Sequence, residues 1–309
     1  MRESNRQISL LTAVEADVLR DFRSHSDSDL QMSGDRNAAW LYFTLNAALE
    51  TCAFLRELRG SSAARQERTK SDDTPTVAGE KAIEENLRSL LQSCDATAVL
   101  VGEETGGTLP QEGYALAVDP IDGTWAFLAD TESYATALTI YSDGNPLVGV
   151  VANPVTGEIG HAVLDGEARL LQLAAFGEPD ASRQLPLNRP TNRPILVHLQ
   201  ATRESASLQD VVLNAWRSKD VRLVRSAGGS PAWALVEAAR GHFTYVNPWK
   251  GRSAEPWDLS AGGLILRAAG GDVVDLNGKS ISLVGHTGPF VAGIEEGARN
   301  RVIHILAGI

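Results

Sequence analysis

The segment Ala115-Leu116-Ala117-Val118-Asp119-Pro120-Ile121-Asp122-Gly123-Thr124 places two carboxylates at the end of an apolar run. Residues Ala115 to Val118 read as a strand whose end delivers Asp119 into a turn. Pro120 fixes φ and Gly123 permits a left-handed or closely packed backbone, so Asp119 and Asp122 can point to the same side. Carboxylates held that close repel unless something positive lies between them, and a divalent cation is the natural filler. Behind the turn, Gly123-Thr124-Trp125-Ala126-Phe127 reads as the start of a short helix, whose unpaired N–H groups and positive dipole end would receive an anion. A metal and a phosphate would then share one turn.

Two further acidic signals lie at element boundaries, Gly102-Glu103-Glu104 and Trp257-Asp258. Pro256 suits the first turn of a helix from Pro256 to Ala269, which puts Asp258 in that turn too. Taken singly these acids read as a solvated loop and a complement to a helix dipole; only their combination points to a site. The donor set is all oxygen. Six histidines (His25, His161, His198, His242, His286, His304) share no spacing, and Cys52 and Cys94 read as inert thiols of a reducing cytosol. Such a set favours Mg²⁺ or Mn²⁺ over zinc. Gly278-Lys279-Ser280 lacks the upstream glycine of a P-loop, where Val273 stands instead.

Working outward, 39 acidic against 28 basic side chains leave a net charge of −11, which excludes nucleic-acid polymers and anionic membranes as partners. The amino terminus lacks the apolar core of a signal peptide, and no uninterrupted apolar run approaches the roughly 20 residues of a membrane span, so the expected location is cytoplasmic. Residues 5 to 60 carry a helical pattern, broken from Ser24 to Arg36 and ended by Gly60, which predicts a helical hairpin. A third helix is predicted from Ala78 to Gln92, with Ile83, Leu87 and Leu90 on its packing face and Glu84, Glu85 and Arg88 opposite.

Strands follow at Ala98 to Val101, Ala115 to Val118, Ala135 to Tyr141, Leu147 to Ala152 and Ile159 to Leu164, predicting a largely antiparallel sheet. After the segment Gly177 to Pro194, strands (Ile195 to Leu199, Val221 to Val224, Phe243 to Val246) alternate with helices (Ser205 to Arg217, Pro231 to Arg240, Pro256 to Ala269). The chain therefore divides into an α+β half over residues 1–177, carrying the acidic motifs, and an α/β half over residues 178–309 that completes the site.

Four segments occur in fixed order over residues 70 to 271: Lys70-Ser71-Asp72-Asp73-Thr74-Pro75, Val101-Gly102-Glu103-Glu104, Val118 to Thr124, and Glu255-Pro256-Trp257-Asp258-Leu259-Ser260-Ala261-Gly262 ending at Ala269-Gly270-Gly271. In wording and order they resemble the inositol monophosphatase family, Mg²⁺-dependent, lithium-sensitive phosphatases of small phosphate monoesters. The resemblance implies a layered αβαβα sandwich, often a homodimer. It implies that Glu103, Asp119 and the main-chain carbonyl of Ile121 hold a first metal, and that Asp119, Asp122 and Asp258 hold a second, with two or three Mg²⁺ per site and Mn²⁺ as a substitute.

By the same resemblance, the amides of Gly123 and Thr124 bind phosphate, and Thr124, Glu80 and Glu103 are the catalytic set that orients a metal-activated water. Gly229 and Ser230 would offer the substrate their turn, Asn247 stands near the glutamate of inositol-specific members, and Lys250 and Arg252 could reach a second anion. The implied activity is hydrolysis of an inositol, cyclitol or sugar phosphate. The alternatives are a 3′(2′),5′-bisphosphate nucleotidase, a histidinol-phosphatase, or a catalytically degenerate paralogue with a regulatory role. One departure bears on the catalytic set: the family's Val-Thr-x-Ala-Asp is Thr76-Val77-Ala78-Gly79-Glu80 here, with Glu80 one methylene longer than the expected aspartate.

Overall fold

Alternate residues of a strand face opposite sides of its sheet, and in Ala115-Leu116-Ala117-Val118 and Ala135-Thr136-Ala137-Leu138 the two sides differ in size. Leu116, Val118 and Leu138 are buried in one apolar cluster and Ala135 and Ala137 in another. That difference sets the layering. The structure, a computed structural model, describes residues 36–60, 67–69, 75–172, 182–187, 196–200, 206–227, 229–249 and 253–307. The first helix of the expected hairpin, most of the segment from Lys70 to Pro75, and both Lys250 and Arg252 lie outside the described residues.

Helices α1 (Arg36–Gly60) and α2 (Ala78–Cys94) cover the large-residue face of a seven-stranded sheet. A short antiparallel pair, β1 (Glu67–Thr69) and β2 (Pro75–Val77), precedes α2. The seven strands lie in chain order: β3 (Val99–Gly102), β4 (Tyr114–Asp122), β5 (Ala135–Ser142), β6 (Asn145–Asn153), β7 (Glu158–Val163), β8 (Arg169–Gln172) and β9 (Arg183–Gln184). Only β3 and β4 are parallel, so the sheet is largely antiparallel as expected. The short α3 (Thr124–Leu128) follows β4.

The second sheet has the order β11 (Leu223–Ala227), β10 (Leu196–Gln200), β12 (Thr244–Asn247), β14 (Phe290–Gly293), β13 (Asp272–Asp275). Between the two sheets lie α5 (Pro231–Ala239) and α6 (Pro256–Ala268), whose side chains share one cluster with Ala135, Ala137, Val151 and Ala162 of the first sheet and Tyr245, Phe290 and Ala292 of the second. The outer face of the second sheet is closed by α4 (Ala206–Arg217) and α7 (Glu296–Leu306), through Leu208, Val212, Val302 and Leu306. Five layers, αβαβα, result.

Strands β1, β2, β8, β9, β13 and β14 and helix α7 are not among the expected elements. Strand β9 pairs with β8 through Arg169↔Gln184 and Leu170↔Arg183, so the chain beyond residue 177 still contributes to the larger sheet. Within Arg36–Arg59 one stretch is long and apolar enough to cross a membrane by length and composition alone, although polar residues such as Asn46 and Glu50 interrupt it. Its apolar side chains Trp40, Leu45, Ala48, Cys52 and Leu55 are buried in the cluster shared with the first sheet, which is the character of a core helix.

Candidate active site

Strand β4 pairs Asp119 with Ala137 and Asp122 with Ala135, so Pro120 and Ile121 together stand opposite Thr136. Residues three apart in a regular strand face opposite ways; one extra residue brings Asp119 and Asp122 to the same face, that of Ala135 and Ala137. The bulge is pinned by Thr136 Oγ1, which donates to the Pro120 carbonyl (2.9 Å), and by Ile121 N, which donates to Asp119 Oδ1 (2.9 Å). Gly123 then caps α3 at φ 93°, ψ 45°, a left-handed conformation that suits glycine. Thr124 donates its hydroxyl to the Ile121 carbonyl (3.2 Å).

Glu103 and Glu104 sit in a turn closed by reciprocal bonds between Gly102 and Gly106. Helix α2 holds that turn from below. The fully buried Glu84 accepts from Glu104 N (2.9 Å), Thr105 N (2.9 Å) and Thr105 Oγ1 (2.5 Å), and Arg88 donates to Thr105 Oγ1 (2.8 Å) and to the Leu100 carbonyl (3.3 Å). The expected place of Glu84 is the solvated side of α2, and the structure corrects this. The buried stripe runs Glu80, Ile83, Glu84, Leu87, Leu91, so two acids head an apolar row at helical spacing. That row was the signal available in the sequence.

Glu80 and Asp258 are delivered by the same device. Each is the third residue of its helix and accepts from the main-chain N–H that precedes it: Val77 N to Glu80 Oε2 (2.7 Å), Glu255 N to Asp258 Oδ2 (2.6 Å). Val77 has no side-chain acceptor to complete the capping box, so Glu80 alone closes it. Thr76 donates to Glu80 (2.6 Å), with a second contact to Glu104 (2.9 Å). Glu80 and Thr124 are not hydrogen-bonded to each other. The start of α6 is fixed to β5 by Tyr141, whose hydroxyl bonds Ser260 Oγ and the Pro256 carbonyl.

Gly229 and Ser230 form the turn into α5. Ser230 caps that helix by accepting from Trp233 N (2.8 Å), donates its hydroxyl to Asp122 Oδ2, and donates its main-chain N–H to the Ser133 carbonyl (2.8 Å). Ala232 N adds a second bond to the same Asp122 oxygen (2.8 Å). Asn247 is buried, its amide donating to Tyr245 and accepting from Trp249 N.

Electrostatics joins these acids. Burial, then Glu103 and Asp122, push the Asp119 carboxyl well above the usual carboxylate range. Burial pushes Asp122 up to about 8, with Asp258 and Glu103 adding to it against the bonds from Ser230 and Ala232. Glu80 is raised to about 7 by burial, against the bonds from Thr76 and Val77. The strongest influences on Asp119 and Asp122 include no lysine or arginine. Among the described residues no three His, Cys, Asp or Glu side chains converge as a metal-binding group.

The family model described as the inositol monophosphatase family matches residues 37–306. The chain belongs to that family. A histidinol-phosphatase from Mycobacterium tuberculosis is 30% identical over 217 residues, covering 68% of this chain and 77% of that protein, and the Nus factor SuhB of Pasteurella multocida is 26% identical, covering 64% and 71%. A crystal structure of the extragenic suppressor protein suhB from Bartonella henselae superposes with a TM-score of 0.71 at 21% identity, covering 87% of this chain and 98% of that one. This inositol monophosphatase homologue is a phosphoric monoester hydrolase acting on small phosphorylated substrates, of a family that is generally metal-dependent.

Glu84 offers a test of how the Glu103 turn is held. Replacing it with Gln exchanges a carboxylate acceptor for an amide that presents N–H groups to the N–H of Glu104 or Thr105. The expected result is a melting temperature lowered by several degrees, from about 2 kcal/mol of lost stabilisation, together with a roughly tenfold lower rate of phosphate release. An unchanged rate would leave Glu84 with structural duty alone.

Proposed function

We propose that this protein is a Mg²⁺-dependent phosphatase that releases orthophosphate from a small inositol, cyclitol or sugar phosphate, and that Glu103, Asp119, the Ile121 carbonyl, Asp122 and Asp258 hold its metal. The observation that carries this reading is the electrostatically linked row of acids beside the left-handed Gly123 turn, with burial and mutual repulsion raising Asp119 and Asp122. Buried like charges with no cation among their main influences fit divalent metal. Both bonds to Asp122 fall on Oδ2, which leaves Oδ1 for a cation. When bound, the metal supplies charge neutralisation of the phosphate and a lowered pKa for a coordinated water.

The chain's own residues do the rest. Amides of Gly123 and Thr124 face the phosphate at the start of α3, and the turn Gly229–Ser230 fixes Asp122 from the opposite sheet. The Thr124 hydroxyl, already held at the Ile121 carbonyl, and Glu80 at the head of α2 orient the attacking water. Lys250 and Arg252 are kept as candidate contacts to a second anion. The resting occupancy we propose is two or three Mg²⁺ per site, with Mn²⁺ as a substitute, in a cytoplasmic homodimer.

A second reading, hydrolysis of the phosphate ester of an amino alcohol, is favoured by the 30% identity with the M. tuberculosis histidinol-phosphatase. The deciding experiment measures phosphate release from myo-inositol 1-phosphate, fructose 1,6-bisphosphate, 3′-phosphoadenosine 5′-phosphate, histidinol phosphate and several sugar phosphates, with Mg²⁺ and then with chelator. Metal-dependent turnover of one compound well above the rest is expected. Release that ignores the chelator, or no release from any compound, would overturn the assignment.

A further inference from the structure

The turn that fixes Asp122 is itself held from behind by a continuous chain of buried polar groups. Gln200 donates Nε2 to the Gly229 carbonyl (2.9 Å) and accepts at Oε1 from the Tyr245 hydroxyl (3.2 Å). Tyr245 accepts from Asn247 Nδ2 (2.7 Å), and Asn247 Oδ1 accepts from Trp249 N (3.0 Å). Tyr245 is wholly buried, Asn247 nearly so, and Gln200 is only 9% exposed. Buried polar chains of this kind are rigid when every member is satisfied and yield when one is lost.

The position of Gln200 in the fold gives the chain its meaning. It is the last residue of β10, the strand paired in parallel with β11 on one side and β12 on the other. The chain leaves β10 for β11 through α4 and passes from β11 back across to β12 through α5, so the carboxyl end of β10 is the point where the connections part. In open α/β sheets ligands sit outside such a point. Here the groups meeting it are Gly229 and Ser230, and through Ser230 the carboxylate of Asp122.

We propose that Gln200 is a positioning residue for Asp122: together with Tyr245 it fixes the Gly229–Ser230 turn, and so the place of the carboxylate that the turn holds. The inference rests on the metal-dependent reading above. Gln200 acts through Gly229 and Ser230 and belongs to neither the expected metal ligands nor the expected substrate contacts. Nothing in the sequence singled it out, because a glutamine at a strand end carries no motif.

The test compares wild type with Gln200→Met, which keeps the side chain's length and removes both its hydrogen bonds, with Tyr245→Phe, which removes one oxygen, and with the double variant. The readouts are the Mg²⁺ concentration at half-maximal rise in melting temperature, read without substrate, and kcat, KM and the Mg²⁺ requirement of phosphate release. Gln200→Met is expected to raise the half-saturating Mg²⁺ about tenfold and lower kcat about tenfold. Tyr245→Phe is expected to shift the same quantities in the same direction, and the double variant to match Gln200→Met, because both act through one chain.

If Gln200→Met does not fold, the Tyr245→Phe shift alone decides. A lowered melting temperature with wild-type Mg²⁺ half-saturation and kcat would make the chain structural and overturn the proposal. A wild-type protein whose melting and turnover both ignore Mg²⁺ would overturn the metal-dependent reading, and the positioning role with it.

Discussion

Asp119→Asn is expected to abolish phosphate release, by more than about 10³-fold, and at the same time to raise the melting temperature of the metal-free protein. The two signs have one cause. Asp119 is buried beside Glu103 and Asp122, and both aspartates are pushed above their ordinary values, Asp122 to about 8. A carboxyl whose pKa is raised on folding binds more protons in the folded than in the unfolded chain, so folding stability falls as pH rises from the unfolded value near 4 towards the folded one. Metal-free wild type should therefore lose stability between about pH 4 and pH 8, and added Mg²⁺ should restore it through binding to the folded state alone.

The amide introduced by Asp119→Asn carries no charge to repel, so the pH slope flattens, the metal-free melting point rises by a few degrees, and the Mg²⁺-induced rise shrinks. Thermal melts in excess chelator at about pH 5 and pH 8, beside a phosphate-release assay, measure all three. A variant that retains turnover, or that melts lower than wild type in chelator at pH 8, would remove Asp119 from the proposed metal site.

Gly229→Ala carries the second large effect, and it falls on both stability and rate. Gly229 has φ 147°, and a Cβ built there lies 2.3 Å from the Ser133 carbonyl oxygen and 2.7 Å from Ser133 Cβ. The same carbonyl accepts from Ser230 N at 2.8 Å, so the turn cannot retreat from Ser133 without giving up that bond and drawing Ser230 away from Asp122. A loss of about 3–5 kcal/mol is expected from the overlap and the backbone conformation together, with a melting temperature lower by about 10 °C and a rate lower by about 10²-fold.

Gly113→Ala provides the contrast. Its φ is also positive, 82°, yet nothing lies within 4 Å of an added Cβ. The expected cost is about 1 kcal/mol with turnover intact. Equal losses in the two variants would mean that backbone conformation alone, and not the crossing with Ser133, makes Gly229 matter.

Much of this arrangement was legible in the sequence because the informative residues sit where chain geometry changes. The left-handed Gly123 and the proline-led helix bearing Asp258 are local signals, and the structure forms both; the turn expected after Val118 is instead a bulge inside β4, which runs on to Asp122. What the sequence did not disclose depends on partners far along the chain. Glu84 takes up its role only because residues 104 and 105 come to it, and Ser230 meets Asp122 across 108 positions. The second sheet's last strands, β13 and β14, were missed for a similar reason. Each is four residues long, and β14 is buried along its whole length, so no alternating pattern announces it.

The middle layer of helices has a consequence for how the molecule is made. A ribosome extrudes β3 to β8 before any residue of α5 or α6, so the alanine-rich face of the larger sheet emerges without the helices that will cover it. The acids at the end of β4 wait as well, since Ser230 and Ala232 reach Asp122 only after some 110 further residues have been added. During that interval the nascent chain shows a broad apolar surface to its surroundings, and this is when a holding chaperone matters most to it. The proposed active centre is thus among the last parts of the protein to come into being.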